Sequence, residues 1–367
     1  MKILFVSRLF DGVSGGIERM STMMMNDMCE RGHEVFLFTW DLDGAKSYYE
    51  LDDRISWRCL NYTNVNIKVN FVVRLRRFLI MRQLMKASNP DVIIAFQHGV
   101  FINTAIAMIG SGIPIIAAER EAPERLNFLK AGRFRFFYFQ SFRFASVVTV
   151  QIKRYCQGYP SYLRAKIIDI PNPVFPVPQQ ESIVGKTTNT LLTVGRLGYQ
   201  KNIKVLLQAF FLISEDFPDW TLAVVGDGED GQDLENFSSL FAHYGRVIFY
   251  GKQKDVHSFY ANSQLFCLPS RWEGFPNALA EAMAHGIPCV GFSECAGVND
   301  LIDNGVTGRL VEGIDSAELL AEVLQELMLS KEKREVLGAG AIKSMRAYDP
   351  DKVYDQWERL FLGVSTK

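Results

Sequence analysis

The sequence predicts an α/β protein of two doubly wound parallel-sheet domains, and three observations predict it. Its 367 residues fit two domains at roughly 100–200 residues each. Short, nearly continuous apolar runs recur at helix-length spacing, as parallel strands covered on both faces do. A segment with four of the 13 prolines, PNPVFPVPQQESIVGKTTN (171–189), turns polar and separates two such series, as an interdomain linker does.

The first series holds KILFVS (2–7), EVFLFTW (34–40), DVIIAF (91–96), IPIIAA (113–118), SVVTVQ (146–151) and KIIDIPN (166–172). The second holds TLLTVG (190–195), TLAVVGDG (221–228), VIFYG (247–251), QLFCLPS (264–270) and IPCVGF (287–292). KILFVSRL at the start is echoed by TLLTVGRL, which favours two similar folds. The domains read as 1–172 and 173–350. A last helical pattern, DKVYDQWERLF (351–361), follows Asp349-Pro350, and the segment 351–367 is expected back on the first domain.

Composition narrows the function. Apolar residues make up 48% and charged residues 22%, enough for two cores and unlike a disordered chain. The net charge of -1 carries no nucleic-acid footprint. None of the six cysteines forms a CxxC pair, which argues against a zinc knuckle or a thioredoxin-type site. Cys267 and Cys289 lie in apolar runs as buried small hydrophobes, and reduced thiols in a cytosolic protein are expected. The N-terminal apolar run is too short for a signal peptide and reads as a first strand. Between Asp91 and Glu119 there is no Asp, Glu, Lys or Arg, a length that spans a bilayer. Gly110, Gly112 and Pro114 punctuate it, so the expectation is strand, loop, helix, turn, strand.

Ligands of open parallel sheets bind at the carboxyl ends of strands, so residues that follow strands come first. Gly15-Gly16 follows the first strand and precedes a helix; it is either a phosphate approach or a plain turn. Arg196 ends a strand of the second domain and Lys201 follows; two cations there suit a diphosphate, the alternative being solvated surface charge. Gly226-Asp227-Gly228-Glu229 lacks G-x-G-x-x-G spacing, so no dinucleotide fingerprint is present. It is a tight turn, beside a nucleotide or beside nothing. The richest segment is RWEGFPNALAEAMAHGIPCV (271–290). Pro276 suits the first turn of a helix that stops at Gly286. Glu273 on the loop and Glu281 inside the helix flank free backbone N–H groups.

That segment matches the Glu-x7-Glu motif of glycosyltransferase family 4, as Glu273 and Glu281. The chain also resembles that family at SGGIER (14–19), RGHEV (31–35), IPNPV (170–174), TVGRLGYQKN (193–202), VVGDGE (224–229) and GVNDLIDNGVTGRLVE (297–312). The resemblance implies the GT-B fold, two Rossmann-like domains facing across a cleft, and sugar transfer from a nucleotide donor with retention at the anomeric carbon. It implies that Arg196 and Lys201 grip the donor diphosphate and that Glu273 bonds donor-sugar hydroxyls. Phe275 and the backbone at Asn277, Ala278 and Leu279 would meet sugar or phosphate, and Glu281 would hold the ribose. Gly15 and Gly16 would approach the phosphate from the first domain, with Gly226 and Lys252 near the nucleotide. Many relatives carry a His after the fourth strand; here AAEREAPER (117–125) puts Arg120 in that position. Arg120 is either a substrate contact or part of a solvated charged loop. His98 is a second candidate, with a structural role as its alternative.

Asp41-Leu42-Asp43 spells a DxD, but on the wrong fold pattern, so no metal and no cofactor are expected beyond the donor. No carboxylate stands out as a nucleophile, which favours front-side substitution over double displacement. The basic, aromatic segments 70–86 and 125–144 read as helices able to lie on a membrane surface, or as core-facing helices with solvated Arg. Membrane contact would suit a glycan acceptor on a polyprenyl diphosphate lipid, at the inner face of the cell membrane, in bacterial polysaccharide synthesis. A UDP-linked hexose or N-acetylhexosamine is the expected donor, with GDP-mannose as the alternative. Rival readings are a nucleotide-sugar epimerase, a phosphorylase, which would need a pyridoxal-phosphate lysine, and a non-catalytic nucleotide-sugar-binding or assembly subunit.

Overall fold

The computed structural model describes residues 1–62, 71–128, 134–177, 189–241 and 244–365. They form two compact units, Met1–Pro173 with Asp351–Lys367, and Val174–Pro350.

The first unit runs β1 (Lys2–Val6), α1 (Gly16–Glu30), β2 (Glu34–Thr39), β3 (Ser56–Cys59), α2 (Phe71–Ala87), β4 (Val92–Phe96), α3 (His98–Ala107) and β5 (Ile115–Ala118). Short helices α4 (Arg125–Phe128) and α5 (Arg135–Ser141) follow, then β6 (Val147–Val150), α6 (Ser161–Arg164) and β7 (Ile167–Asp169). The strands make one sheet in the order β3-β2-β1-β4-β5-β6-β7. Every pairing is parallel. Burial on both faces explains the unbroken apolar character of β4 and β5, and of β2 between Glu34 and Thr39. The uncharged stretch after Asp91 forms β4, α3 and β5, and among the described residues no helix is long and apolar enough to cross a membrane.

The second unit runs β8 (Asn189–Val194), α7 (Ile203–Ile213), β9 (Trp220–Val225), α8 (Gly231–Ser238), β10 (Val247–Gly251), α9 (His257–Ala261) and β11 (Leu265–Leu268). Then come α10 (Asn277–Ala284), β12 (Cys289–Phe292), α11 (Val298–Leu301), β13 (Gly308–Val311), α12 (Ala317–Leu329) and α13 (Lys331–Met345). Its parallel sheet has the order β10-β9-β8-β11-β12-β13. Both sheets therefore reverse direction of growth next to their first strand, at β1/β4 and at β8/β11. That switch point is where an open α/β sheet leaves a ligand crevice at the strands' carboxyl ends.

The last helix, α14 (Pro350–Ser365), belongs to the first unit. Its Val353, Tyr354, Trp357, Leu360, Phe361 and Val364 share a core with Ile3 and Phe5 of β1 and with Met20, Met24, Met25 and Met28 of α1. Phe361 meets Phe5 edge-on at 6.2 Å. Arg31 bonds Asp27, Asp355 and Glu358, and His33 Nε2 lies 2.7 Å from Glu358 Oε1, so polar contacts fix the helix at its rim.

Three expectations need correction. β3 and β13 are strands that apolar runs did not reveal: SWRC and GRLV are half polar because their sheet-edge positions are partly exposed. Segment 125–144 is not one helix but α4, α5 and a 3-10 turn at Phe142–Phe144, with 129–133 outside the described residues. Pro276 precedes α10 as its N-cap rather than sitting in its first turn. Of the proline-rich segment, 171–177 has no regular structure and 178–188 lie outside the described residues, as does Asn70 of the segment 70–86.

Candidate functional site

In the second unit the polypeptide is drawn tight where β8, β9 and β10 end. Gly195 N–H donates to Val225 O, Gly226 N–H to Gly251 O, and Leu197 N–H to Asp227 O. A Cβ on Gly226 would lie 1.9 Å from Gly195 O, and one on Gly228 would lie 2.2 Å from Leu197 O. Backbone contact thus accounts for the Gly226-Asp227-Gly228 turn.

Arg196 extends into solvent and pairs with Glu229, its Nη2 2.9 Å from Oε2. A backbone hydrogen bond, then Arg196, holds the Glu229 carboxyl below its ordinary range. Lys201 lies inward, its side chain against Gly195 and its Nζ 2.5 Å from Glu273 Oε1. Ser270, fully buried, donates to the same oxygen at 2.6 Å. Glu273 N–H bonds Ala296 O, Arg271 N–H bonds Gln200 O, and Gln200 Nε2 bonds Trp272 O, which stitches the loops after β8 and β11 together. Asn202, in the left-handed region at φ 54°, bridges to Ile314 O and Asp315 and receives Arg271. Ser270, Gln200, Asn202 and Arg271 were not legible as site residues. Only contacts between loops distant in the chain single them out.

α10 starts beside Glu273. The N–H groups of Ala278 and Leu279 lie in its first turn, where no intrahelical acceptor exists. Leu279 and Phe275 turn their side chains into the protein, Phe275 against Tyr348 at 5.6 Å, so Leu279 offers only its backbone to a ligand. Glu281 is partly buried one turn on. His285 Nδ1 reaches Glu281 O at 2.7 Å, and His285 Nε2 lies 2.7 Å from His257 Nδ1. A carbonyl only accepts, so Nδ1 of His285 carries the proton and Nε2 accepts from His257. The pair anchors the far end of α10. Lys252 is exposed after Gly251, whose φ of 64° turns the chain away from β10.

In the first unit Gly15 is the N-cap of α1 and Gly16 its first residue. The Glu18 carboxyl folds back over Gly15, where a Cβ would sit 2.1 Å from its Oε2. After β4, His98 stacks on Tyr138 at 4.0 Å, and its Nε2 lies 2.9 Å from Ser141 Oγ. Burial pulls it down to about 4, so it is neutral near pH 7. After β5, Glu119 and Arg120 are 4% and 7% exposed. The alternative of a solvated charged loop therefore fails at these two residues. Tyr138 Oη donates to Glu119 Oε2, and burial pushes the Glu119 carboxyl up to about 7. Arg120 Nη1 donates to Asn172 Oδ1 at 3.1 Å, with its guanidinium over the Phe96 and Trp357 rings at 5.1 and 5.4 Å. Asp41 of the DxD caps the chain instead, accepting from Phe10 N–H at 2.8 Å.

Comparison with known proteins bears on the family and the fold. The family model described as Glycosyltransferase Family 4 matches residues 14–175, and that described as Glycosyl transferases group 1 matches 178–344. An uncharacterised glycosyltransferase of Haemophilus influenzae is 26% identical over 350 residues, 95% of this chain and 96% of that one. The UDP-Gal:alpha-D-GlcNAc-diphosphoundecaprenol alpha-1,3-galactosyltransferase of Escherichia coli is 36% identical over 138 residues, 36% of this chain and 35% of that one. Among solved structures, Anabaena HepE in complex with UDP and glucose superposes with a TM-score of 0.78 at 19% identity, covering 98% of this chain and 99% of that one. With two parallel α/β units, and with family models that between them match nearly all of its length, the chain belongs to the family 4 glycosyltransferases and has their GT-B fold.

Proposed function

We propose that the protein moves a hexose or N-acetylhexosamine from a UDP-linked sugar to a glycan acceptor on a polyprenyl diphosphate, retaining the anomeric configuration. The observation that carries this reading is the Lys201–Glu273–Ser270 cluster beside the open N–H groups of α10, at the switch point of the second sheet. Cation, carboxylate and backbone donors there match a sugar diphosphate. HepE was solved with UDP and glucose, and the name of the Escherichia coli relative gives UDP-Gal as donor and a diphosphoundecaprenol-linked GlcNAc as acceptor.

In this scheme Arg196, Lys201 and the α10 dipole take the negative charge that develops on the leaving diphosphate, and no catalytic metal is required. Glu273 and Glu281 accept hydrogen bonds from sugar and ribose hydroxyls. Without a carboxylate nucleophile, the leaving phosphate accepts the acceptor's proton on the face it departs from. The membrane supplies the lipid acceptor: Val72, Leu75 and Leu79 line one exposed face of α2 beside Arg76, and Phe136 and Phe137 of α5 are 66% and 70% exposed beside Arg135.

Thermal unfolding with UDP, GDP and ADP tests the donor. At a ligand concentration of about 100 times Kd, UDP alone is expected to add about 2.7 kcal/mol, and Lys201→Ala to abolish the shift. Equal shifts with all three nucleotides, or none, would remove the UDP assignment. Flotation with anionic phosphatidylglycerol vesicles tests the surface. The protein is expected to float, and Phe136→Ser with Phe137→Ser to stay at the bottom; equal flotation of the two would defeat the membrane reading.

A further inference from the structure

Arg120 is a buried cation with an unused edge. A guanidinium presents its donors in pairs, and Nε–H and Nη2–H lie side by side on one edge, parallel and coplanar. In this protein Nη1, outside that pair, is the nitrogen bonded to Asn172. Nε and Nη2 are both buried, and no described residue accepts from either. Phe96 and Trp357 hold the plane of the group by their ring faces and supply no acceptor in that plane. The adjacent carboxyl, Glu119, is turned to Tyr138. Continuing the register Ala118↔Thr149 by two residues sets Gln151 beside Arg120, and the buried Gln151 Oε1 also lacks a partner. Burial brings the Arg120 guanidinium down to about 9, so it still carries its charge near neutrality.

Leaving a buried guanidinium without an anion is costly, and leaving two parallel donors unsatisfied adds to the cost. Such an arrangement persists when a ligand completes it. We propose that the Nε/Nη2 edge of Arg120, at the carboxyl end of β5, is a receptor for one ligand oxyanion, bound through two coplanar oxygens as a phosphoryl or carboxylate group is. The proposal rests on the transferase reading only for the source of that oxyanion, which is the nucleotide donor or an anionic acceptor. Lysine does not substitute, because an ammonium is a point charge without the fork. The neutral Met side chain fills most of the same space without needing an anion.

The test uses the full-length protein with Arg120→Lys, Arg120→Met and Lys201→Ala, titrated calorimetrically with inorganic phosphate and with UDP. Phosphate binding is expected to survive in Lys201→Ala and to weaken roughly 10- to 100-fold in Arg120→Lys, the span of charge-assisted hydrogen bonds. If UDP binding weakens by the same factor in Arg120→Lys, the oxyanion is the donor's. If UDP binding holds while phosphate binding falls, it is the acceptor's. A wild type that ignores UDP would count against the donor reading, while the phosphate titration would still test the receptor. The ligand-free melting temperature separates a receptor from a packing role. Arg120→Met is expected to melt at or above wild type, since it removes an uncompensated buried charge. Unchanged phosphate and UDP affinities in Arg120→Lys, or a clear drop in melting temperature for Arg120→Met, would overturn the assignment.

Discussion

At the scale of single residues, charge and burial decide more than sequence pattern does. Glu119 shows this. Its carboxyl is raised from 4.5 to about 7 by burial, against a hydrogen bond from Tyr138 that lowers it. The folded protein therefore holds a proton that the unfolded chain releases between pH 4.5 and 7. Stability from this group is full below pH 4.5 and is lost as pH rises to about 7. Glu119→Gln removes the titration. In urea unfolding, the stability of the variant minus that of wild type is expected to grow from pH 5 to pH 7.5, by up to roughly 2–3 kcal/mol. A difference that stays flat with pH would mean that Glu119 is ionised throughout. Gly226 obeys steric limits instead. At φ 135° and with a Cβ due 1.9 Å from Gly195 O, Gly226→Ala is expected to lower stability by more than about 1 kcal/mol and to weaken UDP binding together with it. Calorimetric titration of that variant measures both. The strand-end position of Arg196 and Lys201 was legible in the sequence, because glycine and strand pattern mark where a chain turns. That Lys201 and Glu273, 72 residues apart, share one hydrogen bond was not, since local pattern carries no distance across a fold. Arg120 was least legible. AAEREAPER looks like a solvated run, yet Arg120 is buried, with its guanidinium over the Phe96 and Trp357 rings.

At the scale of elements, buried strands were the most legible. β4 and β11 are apolar throughout, and β1 is after Lys2, as strands covered on both faces of a sheet are. β3 and β13 escaped notice because an edge strand tolerates Ser56, Arg58 and Arg309. Helix α1 carries its message in Met20, Met24, Met25 and Met28, a stripe that is core here and not a cofactor box. α14 repeats the logic with larger side chains. Trp357 is fully buried and also backs Arg120, so Trp357→Ala opens a cavity and loosens the guanidinium at once. A loss of about 3–5 kcal/mol is expected in denaturant unfolding. A loss below about 1 kcal/mol would show that α14 docks without Trp357.

At the scale of the molecule, the two units differ in how the chain makes them. Val174–Pro350 is continuous, whereas the first unit needs both Met1–Pro173 and Asp351–Lys367. Residues 174–350 expressed alone are expected to unfold cooperatively and to bind UDP. Residues 1–173 alone are expected to aggregate until a chain with 350–367 fused in register restores solubility, because the core around Phe5 would lie open. Solubility and circular dichroism of the three products check this, and a soluble, folded 1–173 would contradict it. The proline-rich break hinted at two units, and the helical pattern after Pro350 at a last element. Its return to the first domain was an expectation; the residues it packs on, Phe5 against Phe361 among them, needed the fold.

The return of α14 has a consequence for synthesis on the ribosome. The 177 residues between Pro173 and Asp351 must be translated before the first unit can receive its last helix. At roughly 5–20 residues per second that takes about ten to thirty-five seconds. The part translated first is therefore finished last, and during that interval its unfilled methionine-lined groove is a natural client for a nascent-chain chaperone.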